Sequence, residues 1–309
     1  NLLYGYWASL LQGIGAIAER NKMVVYSKLI QLMLAFLFLY LGWGLLGFVI
    51  AFAISGIFLG RKGRLYFTKK TYYLNIKDKV DVYEIKECLG IIWATAWKDG
   101  LVMIAQYFST QANTLICAYY IDLTTTSSYG IITQITSVLA SVSMAYFSAY
   151  QPKCSSSYLK KDKTELKEIV CSSVFVYKLI YIVGVISFVI IGIPVLRFVR
   201  PNMDIDFEML ILIVVFYYLY YQHCLFASII ASSNELPFYK AFVISAVFSF
   251  TVSILLVKKF DWGTIGLVAG QLIVNLMYND WKWPLYTLKM INLNILDIYR
   301  KGASCIIQI

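Results

Sequence analysis

Runs of about 20 mostly apolar residues recur along the chain, separated by short polar gaps; this is the length a helix needs to cross ~30 Å of hydrocarbon. They lie near 1–18, 23–41, 43–60, 90–121, 128–149, 170–196, 207–233, 240–257 and 263–281. A segment inside lipid must satisfy its own backbone hydrogen bonds, so each run predicts a helix. Pro152, Pro201, Pro237 and Pro284 fall between or just after the runs, where a missing N–H is tolerated, and only Pro194 lies within one, near its end. Lys98 and Asp99 interrupt the fourth run and leave its start the least defined. The predicted fold class is all-α, a polytopic transmembrane helix bundle of about nine spans.

Composition agrees. Of 309 residues, 60% are hydrophobic and only 14% charged, with mean hydropathy +0.70. A soluble domain carries roughly a quarter charged residues, so soluble, disordered and disulfide-scaffold classes are excluded. The net charge of +10 raises nucleic acid as a partner, and the placement of the charges removes it. Arg20 and Lys22, the group from Arg61 to Lys79, the group from Lys153 to Lys167, Lys240, and the group from Lys282 to Lys301 occupy alternate gaps. The intervening gaps carry only Arg197, Arg200, Lys258 and Lys259. This alternation predicts topology: the richer set faces the cytoplasm, and the C-terminus with it. Asn1 would then lie outside, at the head of an inward-running helix, which predicts a chain lacking its first spans.

Two stretches are amphipathic. In the gap 61–89, Val80, Tyr83, Ile85 and Leu89 alternate with Asp81, Glu84, Lys86 and Glu87, the pattern of an interfacial helix. After Trp283, Leu285, Leu288, Ile295 and Tyr299 share a face beside Lys289, Arg300 and Lys301, which predicts a helix on the inner membrane surface.

Chemistry-bearing residues are few. Six scattered cysteines and one histidine make no zinc or haem pattern, and no cofactor or metal is expected. Asp204-Ile205-Asp206 has the form of a glycosyltransferase metal motif, but falls in an outer loop, and the solvated-loop reading is preferred. No G-x-S-x-G elbow accompanies His223, leaving it either a hydrogen-bonded packing residue or a proton or headgroup site. The pairs Gly56/Gly60 and Gly266/Gly270 have the spacing that lets two spans approach closely. Lys178 is expected to snorkel to the cytoplasmic face. The strongest pattern is in the fourth run: Asp99, Gln106 and Asn113 recur every seven residues, with Thr110 on the same stripe. A polar stripe on a lipid-embedded helix predicts a bundle interior or a watery path. Gln134, Ser137, Ser141 and Ser148 continue the character in the next run, and Gln271 and Asn275 in the last.

Leu11-Gln12-Gly13-Ile14-Gly15, Asn21-Lys22 and Gly42-Trp43-Gly44-Leu45-Leu46-Gly47 resemble the middle of bacterial O-antigen flippases of the Wzx type. So do Tyr129-Gly130-Ile131-Ile132-Thr133-Gln134, Tyr150-Gln151-Pro152, Asn234-Glu235-Leu236-Pro237 and Tyr278-Asn279-Asp280-Trp281-Lys282-Trp283-Pro284. These transporters form the polysaccharide branch of the multidrug/oligosaccharidyl-lipid/polysaccharide exporter superfamily. The resemblance implies a two-lobed, twelve-helix exporter working by alternating access in the bacterial inner membrane. Residues 1–60 would end a truncated first lobe, 61–89 connect, 90–283 form the second six-helix lobe, and 284–309 the cytoplasmic tail. The implied activity is not enzymatic: translocation of undecaprenyl-pyrophosphate-linked O-units to the periplasmic leaflet. Partners would be the lipid-linked oligosaccharide, membrane lipids and other O-antigen assembly proteins, with a proton or sodium gradient as candidate driving force. The pathway would involve Lys98, Asp99, Gln106, Thr110, Asn113, Gln134, His223, Gln271 and Asn275, with Tyr217, Tyr220 and Tyr221 offering faces to sugars. The rivals are a cation-coupled small-molecule exporter of the same superfamily and an integral membrane glycan polymerase or ligase. A structural membrane subunit is a third alternative.

Overall fold

A computed structural model describes residues 2–71, 82–201 and 205–307. The described residues are almost entirely helical and contain no strand: α1 (Leu2–Gly13), α2 (Ile17–Tyr40), α3 (Gly44–Thr71), α4 (Val82–Tyr120), α5 (Leu123–Lys160), α6 (Lys163–Ser187), α7 (Ile193–Val199), α8 (Phe207–Ala231), α9 (Tyr239–Lys258), α10 (Gly263–Met277), α11 (Asn279–Ile291) and α12 (Ile295–Ile307). Among the described residues, seven helical segments are long and apolar enough to cross a membrane: α2, α3, α4, α5, the continuous α6–α7, α8 and α9. The protein is therefore an all-α, multi-pass membrane protein. The first and last predicted runs fall short. The first yields only α1, 12 residues ended at Gly13, with Gly15 at φ +75 in the turn that follows. The last is broken at Tyr278 (φ −146, ψ −58) into α10, of 15 residues, and α11.

The chain divides into two compact units, Asn1–Ile85 and Lys86–Ile309. In the first, α2 packs along α3, and α1 against α3. Leu11, Ala16 and Met23 form a small core with Leu59 and Phe67, and Ser27 Oγ donates to the Ser55 carbonyl at 2.9 Å. Gly56 and Gly60 are buried in α3, which runs on to Thr71, so the first eleven residues of the expected connector are helix. Lys77, Lys79, Val80 and Asp81 lie outside the described residues, and Tyr83 to Leu89 belong to α4.

In the second unit α8 is central, packed by α5, α6, α10 and α11. Two α6 tyrosines tie it in: Tyr177 OH donates to the Tyr218 carbonyl at 2.6 Å, and Tyr181 OH to the Val214 carbonyl at 2.8 Å. Between α6 and α7 the helix widens into a π-turn, Phe188–Gly192. The cause is Pro194, which removes a donor and whose ring would collide with the carbonyl four residues back; one wide turn absorbs both.

Other prolines contradict the gap prediction. Pro152 lies inside α5, which continues to Lys160, and Pro284 inside α11. The expected basic gap after residue 149 shrinks to a tight turn: Lys161 is left-handed (φ 58), and Asp162 caps α6 by accepting from the Thr164 and Glu165 N–H groups. Nor is the tail a single surface helix. Trp283, Thr287, Leu288 and Ile291 of α11 are buried and that helix packs on α8, while α12 packs on α6, its Gly302 facing Phe175. Lys178 reaches this helix, donating to Tyr299 OH at 2.8 Å.

Asp122 joins α4 to α5 and caps the latter, accepting from Thr125 N (2.7 Å) and Thr125 Oγ1 (2.5 Å). The Thr125 hydroxyl first, and its N–H second, hold the Asp122 carboxyl below its ordinary value of 3.8. Since the folded form prefers the carboxylate, the cap's contribution is fully present above that value and is lost as pH falls through the lower folded one. Acid unfolding of Asp122→Asn, followed by circular dichroism, will lack that increment of pH dependence; an unchanged acid limb would refute the cap.

Candidate functional site

The break at Tyr278 builds the polar centre of the second unit. Where α11 restarts, its first-turn N–H groups lack intrahelical partners and its dipole favours a negative charge. Asp280 sits in that turn. Its Oδ1 lies 2.7 Å from His223 Nδ1 on α8, with 4% and 1% of the two side chains exposed. The second carboxylate oxygen, Oδ2, is buried and has no hydrogen-bond partner. Tyr220 and Phe242 meet the imidazole edge-on, at ring separations of 4.9 and 5.2 Å.

Amides extend the cluster. Asn279 Nδ2 donates to Ser245 Oγ of α9 (2.9 Å) and Asn275 Oδ1 of α10 (3.2 Å), while its Oδ1 accepts from Trp283 Nε1 (3.0 Å). Asn275 Nδ2 donates to the Gln271 carbonyl at 2.9 Å. Gln271 Nε2 in turn donates to the Ser109 carbonyl of α4. One turn further along α4, Asn113 Nδ2 donates to the Leu267 carbonyl of α10 at 2.7 Å. These side chains satisfy groups that lipid could not.

Two of the voids that border the network share a wall. The inner one, beside His223, Ser109, Ser245, Asn275 and Asn279, measures about 10 Å³ for a water's centre, room for roughly one molecule. The outer one is a cleft of about 450 Å³ between α4, α5 and α8, lined by Met103, Tyr107, Thr110, Met144, Tyr221 and Ser228 among others. Gln106 and Tyr220 border both, so these two side chains form the partition. Gln106 is held there by Cys224, with Nε2 at 3.8 Å from its sulfur.

Six of the nine sequence-predicted residues therefore meet here: Gln106, Thr110, Asn113, His223, Gln271 and Asn275. Three do not. Asp99 is exposed, three residues before Val102, the first buried side chain among the described residues of α4. Lys98 lies over the Trp97 and Tyr239 rings, at 5.9 and 5.6 Å, instead of reaching the cluster. Gln134 is exposed, and Ser137, Ser141 and Ser148 bond carbonyls of their own helix, so the polar stripe of α5 is local capping of the backbone. Tyr217 is buried in the core, leaving Tyr220 and Tyr221 on the cleft. The residues missed are Asp280, Asn279 and Ser245. The signal for the first was present: a carboxylate closing an apolar run is an ionisable group in a membrane segment. Asp204 lies outside the described residues, and Asp206 caps α8 by accepting from Glu208 N at 2.9 Å, the role of a loop residue.

Comparison with family models, with curated proteins and with solved structures finds no significant match to this chain.

Proposed function

We propose that the chain acts as a flippase carrying undecaprenyl-pyrophosphate-linked O-units from the cytoplasmic to the periplasmic leaflet of a bacterial inner membrane. In this reading it works by alternating access within a two-lobed, twelve-helix exporter, with its C-terminus in the cytoplasm. The observation that carries it is the outer cleft. A glycan crossing hydrocarbon needs ring faces for its C–H surfaces and donors and acceptors for its hydroxyls. Tyr107, Tyr220 and Tyr221 supply the former, and Gln106, Thr110 and Ser228 the latter, within helices that span the membrane. A second, apolar groove of about 220 Å³ between α4 and α9, lined by Leu101, Ile104, Phe108, Val243, Val247 and Phe250, gives a polyprenyl chain a seat beside the polar site. Ala105 borders both this groove and the inner cavity. The helix break at Tyr278 supports the transporter reading, because interrupted helices near a buried polar site are how membrane carriers expose backbone to cargo.

The test is genetic. In cells whose surface O-antigen depends on this protein, its deletion will strand lipid-linked O-units on the inner leaflet and remove surface O-antigen. Unchanged surface glycan with altered drug tolerance would replace this reading with the small-molecule exporter. Accumulation of delivered but unpolymerised units outside would replace it with the polymerase.

A further inference from the structure

We propose that the His223–Asp280 pair is a proton-binding site whose occupancy sets how firmly the first turn of α11 is held against α8. This names the ion that the transporter takes up, and it rests on the transporter reading only for the use made of the proton.

Four observations carry the proposal. The pair is buried and its members touch at 2.7 Å through Nδ1 and Oδ1, leaving Nε2 as the ring atom able to gain or lose a proton. A void of one-water size is lined by His223, with room for the water that would carry that proton. The carboxylate's other oxygen is buried without a partner. The carboxylate itself stands two residues beyond an interruption of the helix, at Tyr278, where the backbone is already outside the α region.

The step is a simple transfer. A hydronium ion in the inner void gives its proton to the Nε2 lone pair and leaves as water; nothing is oxidised or reduced. The ring becomes imidazolium, and its Nδ1–H still donates to Asp280 Oδ1. The buried pair is then neutral overall. Without that proton, a buried carboxylate faces one neutral donor with Oδ2 unanswered, a costly arrangement away from water. The relief open to it is movement of the first turn of α11 about Tyr278, which brings Oδ2 to water.

Few other groups can take over this titration. Among the described residues, the titratable neighbours of the ring are Asp280 and, on its own helix, Tyr220 and Cys224. The facing side chains of α4, α9 and α10, which are Gln106, Ser109, Phe242, Ser245 and Asn275, do not titrate. Lys240 and Tyr278 line a cleft that also borders Ser245 and Trp283, and neither bonds to the pair. The coupling to cargo is structural: Tyr220, against the ring, also borders the outer cleft.

His223 is the chain's single histidine, which makes the test direct. The full chain, purified through a histidine-free tag with ¹⁵N-histidine and placed in lipid nanodiscs, is followed by NMR as pH is varied across the physiological range and beyond. One imidazole is expected to pass between a one-N–H and a two-N–H pattern, with Nδ1 protonated in both. Hydrogen exchange of the α11 amides is expected to quicken severalfold on the deprotonated side of the same transition. In Asp280→Asn, which keeps the side chain's shape, the transition is displaced by about tenfold or more in proton concentration. A ring that keeps one charge state throughout, or α11 amides equally protected on both sides, overturns the proposal, and neither reading requires a variant to fold. An undisplaced transition in folded Asp280→Asn overturns it as well. Failure of the flippase reading is separable: a titrating ring with normal surface O-antigen in the deletion strain removes the cargo and leaves the proton site, and a silent ring with stranded O-units does the reverse.

Discussion

Replacing Asp280 with alanine will lower the stability of the folded chain by about 3–5 kcal/mol, and adding His223→Leu will restore most of it. Removing one member of a buried, hydrogen-bonded pair strands the other in a low-dielectric site, and the cost is that of the abandoned partner more than of the lost bond. Here the stranded group is an imidazole with 1% of its side chain exposed, enclosed by Tyr220 and Phe242. A leucine in its place needs no partner and fills an aromatic-walled site. The measurement is unfolding by SDS in mixed micelles, for the two single variants and the double. A double variant as unstable as the sum of the singles would show that packing, and not the pair, sets the energy.

Gly270→Ala will destabilise the α9–α10 contact by about 1–3 kcal/mol, although alanine is the better helix former by roughly 1 kcal/mol. A Cβ at Gly270 would stand 2.6 Å from Ser253 Oγ, 2.7 Å from Ser253 N and 2.8 Å from its Cα. Two of these are backbone atoms that no rotamer change can withdraw. The displaced hydroxyl also donates to the Leu267 carbonyl at 2.9 Å, a bond that the substitution would lengthen. Gly130→Ala in α5 is the control: nothing lies within 4 Å of its added carbon, so helix propensity acts alone and the variant should be unchanged or slightly more stable. Thermal melting of the detergent-solubilised chain will separate the two. Equal melting temperatures would mean that the two helices part without cost.

The Gly266/Gly270 spacing was legible because close helix approach needs small residues one turn apart, whatever the partner. The heptad of Gln106 and Asn113 was legible for a similar reason: the 3.6-residue period fixes which residues share a face. The same heptad misled at Asp99, since periodicity says which residues align on a helix but not how far along it the neighbours extend. In α5 the serines bond their own preceding carbonyls, and a polar stripe in the sequence looks alike whether its hydroxyls point across or back.

His223 stood out as the only histidine, yet its partner lies 57 residues away, across a helix break that hydropathy does not register. A run of apolar residues reads as one span until a single residue takes non-helical backbone angles, and at Tyr278 that angle separates α10 from α11. The sequence by itself determined the solvent: 60% hydrophobic residues in runs of about 20 can only be helices in lipid. Tertiary structure alone decided which polar groups share a site, because pairing a buried imidazole with a buried carboxylate depends on where two distant helices cross, a matter of packing that no local period contains.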